Sequence, residues 1–141
     1  MSGTGGQNEN EDLSATYRFK VRFRLEPQTD VQLDPQSFET LLSKPASPPG
    51  EKDWLFFRDN LWRGEVNDEP HMRSRMETTL GVPIEKIRFR ELRTTSSYLD
   101  TLKEAITEEL DTPPTVFGNA TNADNVLKKY LGSSIHVCPP N

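Results

Sequence analysis

From Tyr17 to Leu25 the chain alternates without a break. Tyr17, Phe19, Val21, Phe23 and Leu25 are apolar, and Arg18, Lys20, Arg22 and Arg24 stand between them. Successive side chains of a β-strand point to opposite faces, so a period of two predicts a half-buried strand with one apolar and one cationic face. An apolar sheet face has to be covered by another layer. The rest of the chain must therefore supply pairing strands and helices for one side.

Helix signals follow. Asp34-Pro35 reads as an N-cap followed by proline at the first helical position. Phe38, Leu41 and Leu42 form its i, i+3, i+4 stripe, and Pro45 ends it. Residues 45–53, with Pro48, Pro49 and Gly50, read as a loop. Trp54–Phe57 and Leu61–Val66 read as two strands around an Asp59-Asn60 turn. That register puts Trp54, Phe56 and Arg63 on one face, although a slip of one residue would exchange the faces. Asp68 caps a second helix that carries Met72, Met76 and Leu80 and closes at Gly81. Ile84–Arg93 reads as a strand with Ile87 and Phe89 opposite Arg88 and Arg90. Ser96 opens an amphipathic helix bearing Leu99, Leu102, Ile106 and Leu110. Thr121 or Asn122 caps another with Val126, Leu127, Tyr130 and Leu131, stopped by Gly132, and Ile135–Val137 adds a short strand.

This order predicts an α+β fold: an antiparallel sheet with helices mainly on one face, as a ferredoxin-like βαββαβ core plus C-terminal helices. Residues 14–138 form the expected single domain. Residues 1–13, polar and without periodicity, read as a disordered tail, and 139–141 as a C-terminal tail. A length of 141 residues suits one domain. The single cysteine, Cys138, excludes an internal disulfide framework. No apolar run approaches the roughly 18 residues of a membrane span, and no secretory signal opens the chain. The expected compartment is the cytoplasm.

Asn60-Leu61-Trp62-Arg63-Gly64-Glu65 resembles the small haloarchaeal LWR-salt proteins. So do Phe89-Arg90-Glu91-Leu92-Arg93 and the stretch from Lys129 through Gly132 to Val137. The likeness runs from about Ala15 to Cys138. It implies a cytoplasmic protein of a salt-loving archaeon and brings no particular activity with it.

The candidate site is the cationic strand face. In the expected topology Arg18, Lys20, Arg22, Arg24, Arg63, Arg88 and Arg90 gather on one side of the sheet, with Trp54 and Phe56 as stacking surfaces. Arginines on adjacent strands repel unless counter-charges or an anionic partner satisfy them. One outcome is a platform for RNA or a phosphorylated ligand. The other is a solvated face threaded with ion pairs, or one buried beneath the acidic helix that carries Asp100, Glu104, Glu108 and Glu109. No strand carries the glycine-and-aromatic signature of RNA-recognition domains. A net charge of −5 also argues against coating nucleic acid by bulk charge.

His136 and Cys138 share a strand face, but a tetrahedral metal site needs three or four ligands, and His71 lies far away in sequence. No metal and no cofactor is expected. No nucleophile, base and orienting group come together in the sequence. The leading functional expectation is a non-catalytic binding or adaptor domain acting on a protein, itself or another. RNA or phosphorylated-ligand binding through the arginine face comes second, and an enzyme with an unrecognised site third.

Overall fold

The computed structural model describes residues 14–25, 37–113 and 115–138. Strand β1 (Ala15–Arg24) is followed by β2 (Ser37–Pro45), helix α1 (Phe56–Asn60), β3 (Leu61–Trp62) and β4 (Glu65–Val66). Then come α2 (Glu69–Leu80), β5 (Ile84–Thr95), α3 (Ser96–Leu110), α4 (Ala123–Leu131) and β6 (Ile135–Cys138). The main sheet has the order β2-β1-β5-β6, and β3 and β4 form a separate hairpin. β1 runs antiparallel to both neighbours, while β5 and β6 are parallel. A parallel pair needs a crossover, and α3 and α4 provide it.

The α+β class holds, but the ferredoxin-like element order does not. The segment after β1 is a strand, so the first strand is flanked by β2 and β5. Phe38, Leu41 and Leu42 fit a helical stripe, yet β1 has a second edge whose backbone groups need partners. Residues 37–45 supply them in register from Thr16↔Pro45 to Arg24↔Ser37. Phe38 then packs against Phe23, with ring centres 5.8 Å apart, while Leu41 of the supposed stripe is left 48% exposed. The expected cap at Asp34-Pro35 and the tails at 1–13 and 139–141 lie outside the described residues.

The strand expected over Trp54–Phe57 is a turn leading into α1, entered through Asp53 at φ 70°. A contiguous apolar run suits a buried turn and short helix as well as a strand, because it has no period of its own. The hairpin turn is Arg63-Gly64, not Asp59-Asn60. Both residues have positive φ, 54° and 83°, as a two-residue turn between twisted strands requires. Trp62 therefore faces Glu65 across the hairpin.

The other local signals stand. The Asp68 side chain accepts from the His71 backbone N–H at 3.1 Å, and Gly81 takes the left-handed conformation at the end of α2. Thr95 caps α3, and Asn122 caps α4 by accepting from the Asn125 N–H at 2.8 Å.

The core lies between one sheet face and the helices. Phe19 and Val21 of β1 and Ile87 and Leu92 of β5 are buried against Phe57, Met72, Leu102, Ile106 and Leu131. Removing one such side chain from water contributes about 2 kcal/mol. The registers of β1 and β5 shift twice, leaving Glu85 and Arg90 without an opposite residue. These bulges keep Ile84, Ile87, Phe89 and Leu92 inward despite their uneven spacing.

Candidate functional site

The sheet face turned away from the core carries charge. β1 contributes Arg18, Lys20, Arg22 and Arg24, each alternating with a residue of the apolar face. β5 contributes Lys86, Arg88, Arg90 and Arg93, all exposed. Antiparallel pairing puts Lys20 opposite Arg88 and Arg22 opposite Lys86. Like charges directly opposite one another destabilise a sheet. α3 does not cover them: its Tyr98, Leu102 and Ile106 are buried in the cluster that holds the other side of β1.

Three carboxylates answer part of this charge. Glu39 of β2 lies 3.2 Å from Arg22 and 3.4 Å from Lys20. Its hydrogen bonds from Arg22 and then Lys20 hold its carboxyl below the ordinary range. Glu85 stands 3.9 Å from Arg24, and Glu91 stands 3.1 Å from Arg93. Arg18, Lys86, Arg88 and Arg90 make no ion pair with a described residue. Lys20, Arg22, Glu39, Lys86 and Arg88 line a shallow depression of about 190 Å³. This surface is suited to an anion with several negative groups, because guanidinium forks hydrogen-bond phosphate or carboxylate in pairs.

Of the residues singled out from the sequence, Arg18, Lys20, Arg22, Arg24, Arg88 and Arg90 share this face. Trp54, Phe56 and Arg63 do not. Trp54 packs edge-on against Phe57 and Phe117, at 6.4 and 6.3 Å. Phe56 is buried against Tyr17 at 4.6 Å, with the Lys44 ammonium 5.2 Å from its ring centre. Both turned inward when their segment became a turn and helix. Arg63 sits in the β3–β4 turn, outside the main sheet. Lys86, Arg93 and Glu39 belong to the face but were not singled out. The β5 bulges and the strand identity of β2 place them, and neither has a clear sequence signal.

His71 lies in the first turn of α2 and lines a hollow with Lys44 of β2, at one edge of the sheet. His136 and Cys138 are on β6 at the other edge. No group of three or more His, Cys, Asp or Glu among the described residues is arranged to hold a metal ion. No helix among them is long and apolar enough to cross a membrane.

The Leu-Trp-Arg segment divides its work. Leu61 is fully buried, Trp62 is 43% exposed, and Arg63 makes the turn. The turn caps the end of α4: the Arg63 N–H donates to the Lys129 carbonyl at 2.8 Å, and the Gly64 N–H to that of Tyr130 at 3.0 Å. A Cβ on Gly64 would stand 3.0 Å from the Leu131 carbonyl oxygen, and one on Gly132 would stand 3.1 Å from that of Arg63. The Leu92 N–H of β5 donates to the Ser134 carbonyl at 2.8 Å. The three sequence stretches that carry the family likeness thus meet backbone to backbone. No curated protein and no solved structure matches the chain. The model of the LWR-salt proteins matches residues 13–140, and the chain belongs to that family.

Proposed function

We propose that this protein is a non-catalytic binding domain whose working surface is the open basic face of the sheet, and that it holds the phosphate backbone of a nucleic acid there. One observation carries the reading: β1 and β5 set Lys20 opposite Arg88 and Arg22 opposite Lys86, and Arg18, Lys86, Arg88 and Arg90 have no ion pair with a described residue, although Arg18 stands opposite Glu91. Keeping like charges together costs stability, which an anionic ligand would return. Trp54 and Phe56 pack inward, so neither offers this face a ring for base stacking, and the contacts proposed are to the phosphate backbone. Six of the eight bases on β1 and β5 are arginine, whose planar guanidinium suits bidentate contacts with phosphate.

The test is fluorescence anisotropy of a labelled oligonucleotide with the wild type and with Arg18→Glu combined with Arg88→Glu. The double variant is expected to bind at least about tenfold more weakly, and its dependence of log Kd on log salt should flatten by about 1.5 to 2. Unchanged affinity in a folded double variant would exclude the sheet face.

A second reading, an adaptor that takes an extended segment of a protein, rests on β2. No described strand pairs with its outer edge. Beside it Leu42, Phe56, Met72 and Met76, with Lys44 and Arg75, line a groove of about 520 Å³ between β2 and α2. An open edge beside an apolar groove is the setting for strand addition. Leu41→Pro would remove an edge donor. A partner or self-association that survives in the folded variant would count against this reading.

A further inference from the structure

A large, open concavity lies on the helical side, away from the basic sheet face. It has a volume of about 1120 Å³ and is lined by Trp62, Arg63, Lys103, Lys128 and Lys129, with Leu99, Leu127 and Ile135 as apolar walls. One acid, Asp124, lines it among the described residues and stands 3.1 Å from the Lys103 ammonium. Arg63, Lys128 and Lys129 make no ion pair with a described residue. The cavity therefore pairs a half-exposed indole with three uncompensated cations.

The backbone that carries two of these cations is held in place. The main-chain hydrogen bond from Arg63 to Lys129 ties the turn to the helix end, and Gly64 and Gly132 permit the contact at distances a side chain would crowd. The Arg63 guanidinium and the Lys129 ammonium each lie 5.7 Å from the Trp62 ring centre. Tyr130 braces the indole edge-on at 5.8 Å. An indole already facing two cations is a poor seat for a cationic ligand. An anion draws those cations off the ring and leaves a planar surface beside an apolar wall.

We propose that this cavity binds a nucleoside phosphate, with Arg63, Lys128 and Lys129 taking the phosphate and the planar base lying against Trp62. The space is ample, since sites for ligands of this size occupy roughly 300–1,000 Å³. The site is separate from the sheet face and does not depend on it.

The test is tryptophan emission of the full chain titrated with AMP, adenosine and inorganic phosphate. The variants are Trp54→Phe, which leaves Trp62 as the reporter, and Trp62→Phe. AMP is expected to give a saturable change in wild type and Trp54→Phe that is lost in Trp62→Phe. Adenosine and phosphate should each bind at least about tenfold more weakly, because each keeps half of the contacts. Lys128→Glu with Lys129→Glu should weaken AMP about tenfold or more while circular dichroism stays native. Arg18→Glu with Arg88→Glu should leave AMP binding unchanged. The proposal is overturned by an absence of saturable change at Trp62 up to roughly 10 mM AMP in folded protein. It is equally overturned by phosphate or adenosine matching AMP, or by AMP binding that survives the lysine reversals.

Discussion

Reversing one charge on the sheet face should make the protein more stable while weakening its hold on polyanions. Lys20 and Arg88 are directly opposite on β1 and β5, and Lys86 and Arg90 flank Arg88 on its own strand. For two unit charges at a separation of about 6 Å, the repulsion at the dielectric constant of water is about 0.7 kcal/mol. Arg88→Glu removes that repulsion and adds a comparable attraction, about 1.4 kcal/mol before screening. A Debye length of about 8 Å at physiological ionic strength roughly halves it. The expected gain is about 0.5–1 kcal/mol, in the range of cross-strand pairs, which for a domain of this size raises Tm by about 2–4 °C. The assay is thermal unfolding followed by circular dichroism in low salt and again near 1 M, where the Debye length falls to about 3 Å and the gain should largely vanish. A variant that is no more stable in low salt, or less stable, would mean that the face is already compensated, and would refute the reasoning from unpaired charge.

Glu39→Gln releases Lys20 and Arg22 from their shared carboxylate, so oligonucleotide affinity in anisotropy should rise by about two- to threefold; a fall would mean that Glu39 positions these bases for the ligand. Gly64→Ala should cost about 1–3 kcal/mol in chemical denaturation, because φ is 83° and the new Cβ meets the Leu131 carbonyl oxygen at 3.0 Å. Gly50→Ala, at φ 86° with nothing within 4 Å, should cost only the backbone part, about 1 kcal/mol. Equal losses would show that the turn does not press on α4. Burial pushes the Tyr98 phenol up to about 12 from 10.0 and the Tyr17 phenol further, with Tyr98 beside Tyr17 adding to its shift. These folded values lie above the unfolded one, so the stabilisation is complete below pH 10 and is lost as pH rises through the folded values. Circular dichroism should stay native to about pH 10 and then decline as tyrosinate absorbance grows; ionisation of Tyr17 and Tyr98 in a fully native protein would contradict this.

What the sequence revealed follows from how local each signal is. The alternation from Tyr17 to Leu25 needs only its own neighbours to be read, and β1 came out as written. Asp68 with Gly81, and Asn122 with Gly132, act within one helical turn and were equally legible. β2 is an edge strand exposed along most of its length, so no buried face imprints a period of two on it. Its identity is set by the open edge of β1, which lies outside the segment. Trp54–Phe57 is apolar at every position and so has no periodicity to show. At the hairpin, Asp59-Asn60 tolerates positive φ more readily than arginine does, but packing against the end of α4 fixed the turn at Arg63-Gly64. For the site the division is the same. Six of the nine residues singled out follow from alternation and share a face, while Trp54, Phe56 and Arg63 depended on the misplaced hairpin. Glu39, the carboxylate shared by Lys20 and Arg22, was out of reach because its role depends on β2.

The most direct test of the central claim is a map of amide chemical shifts in isotope-labelled protein as an unlabelled oligonucleotide is added. Shifts concentrated at Arg18–Arg24 and Lys86–Arg90 are the expected result. Shifts confined to the helical side, or none at concentrations where anisotropy reports binding, would contradict it.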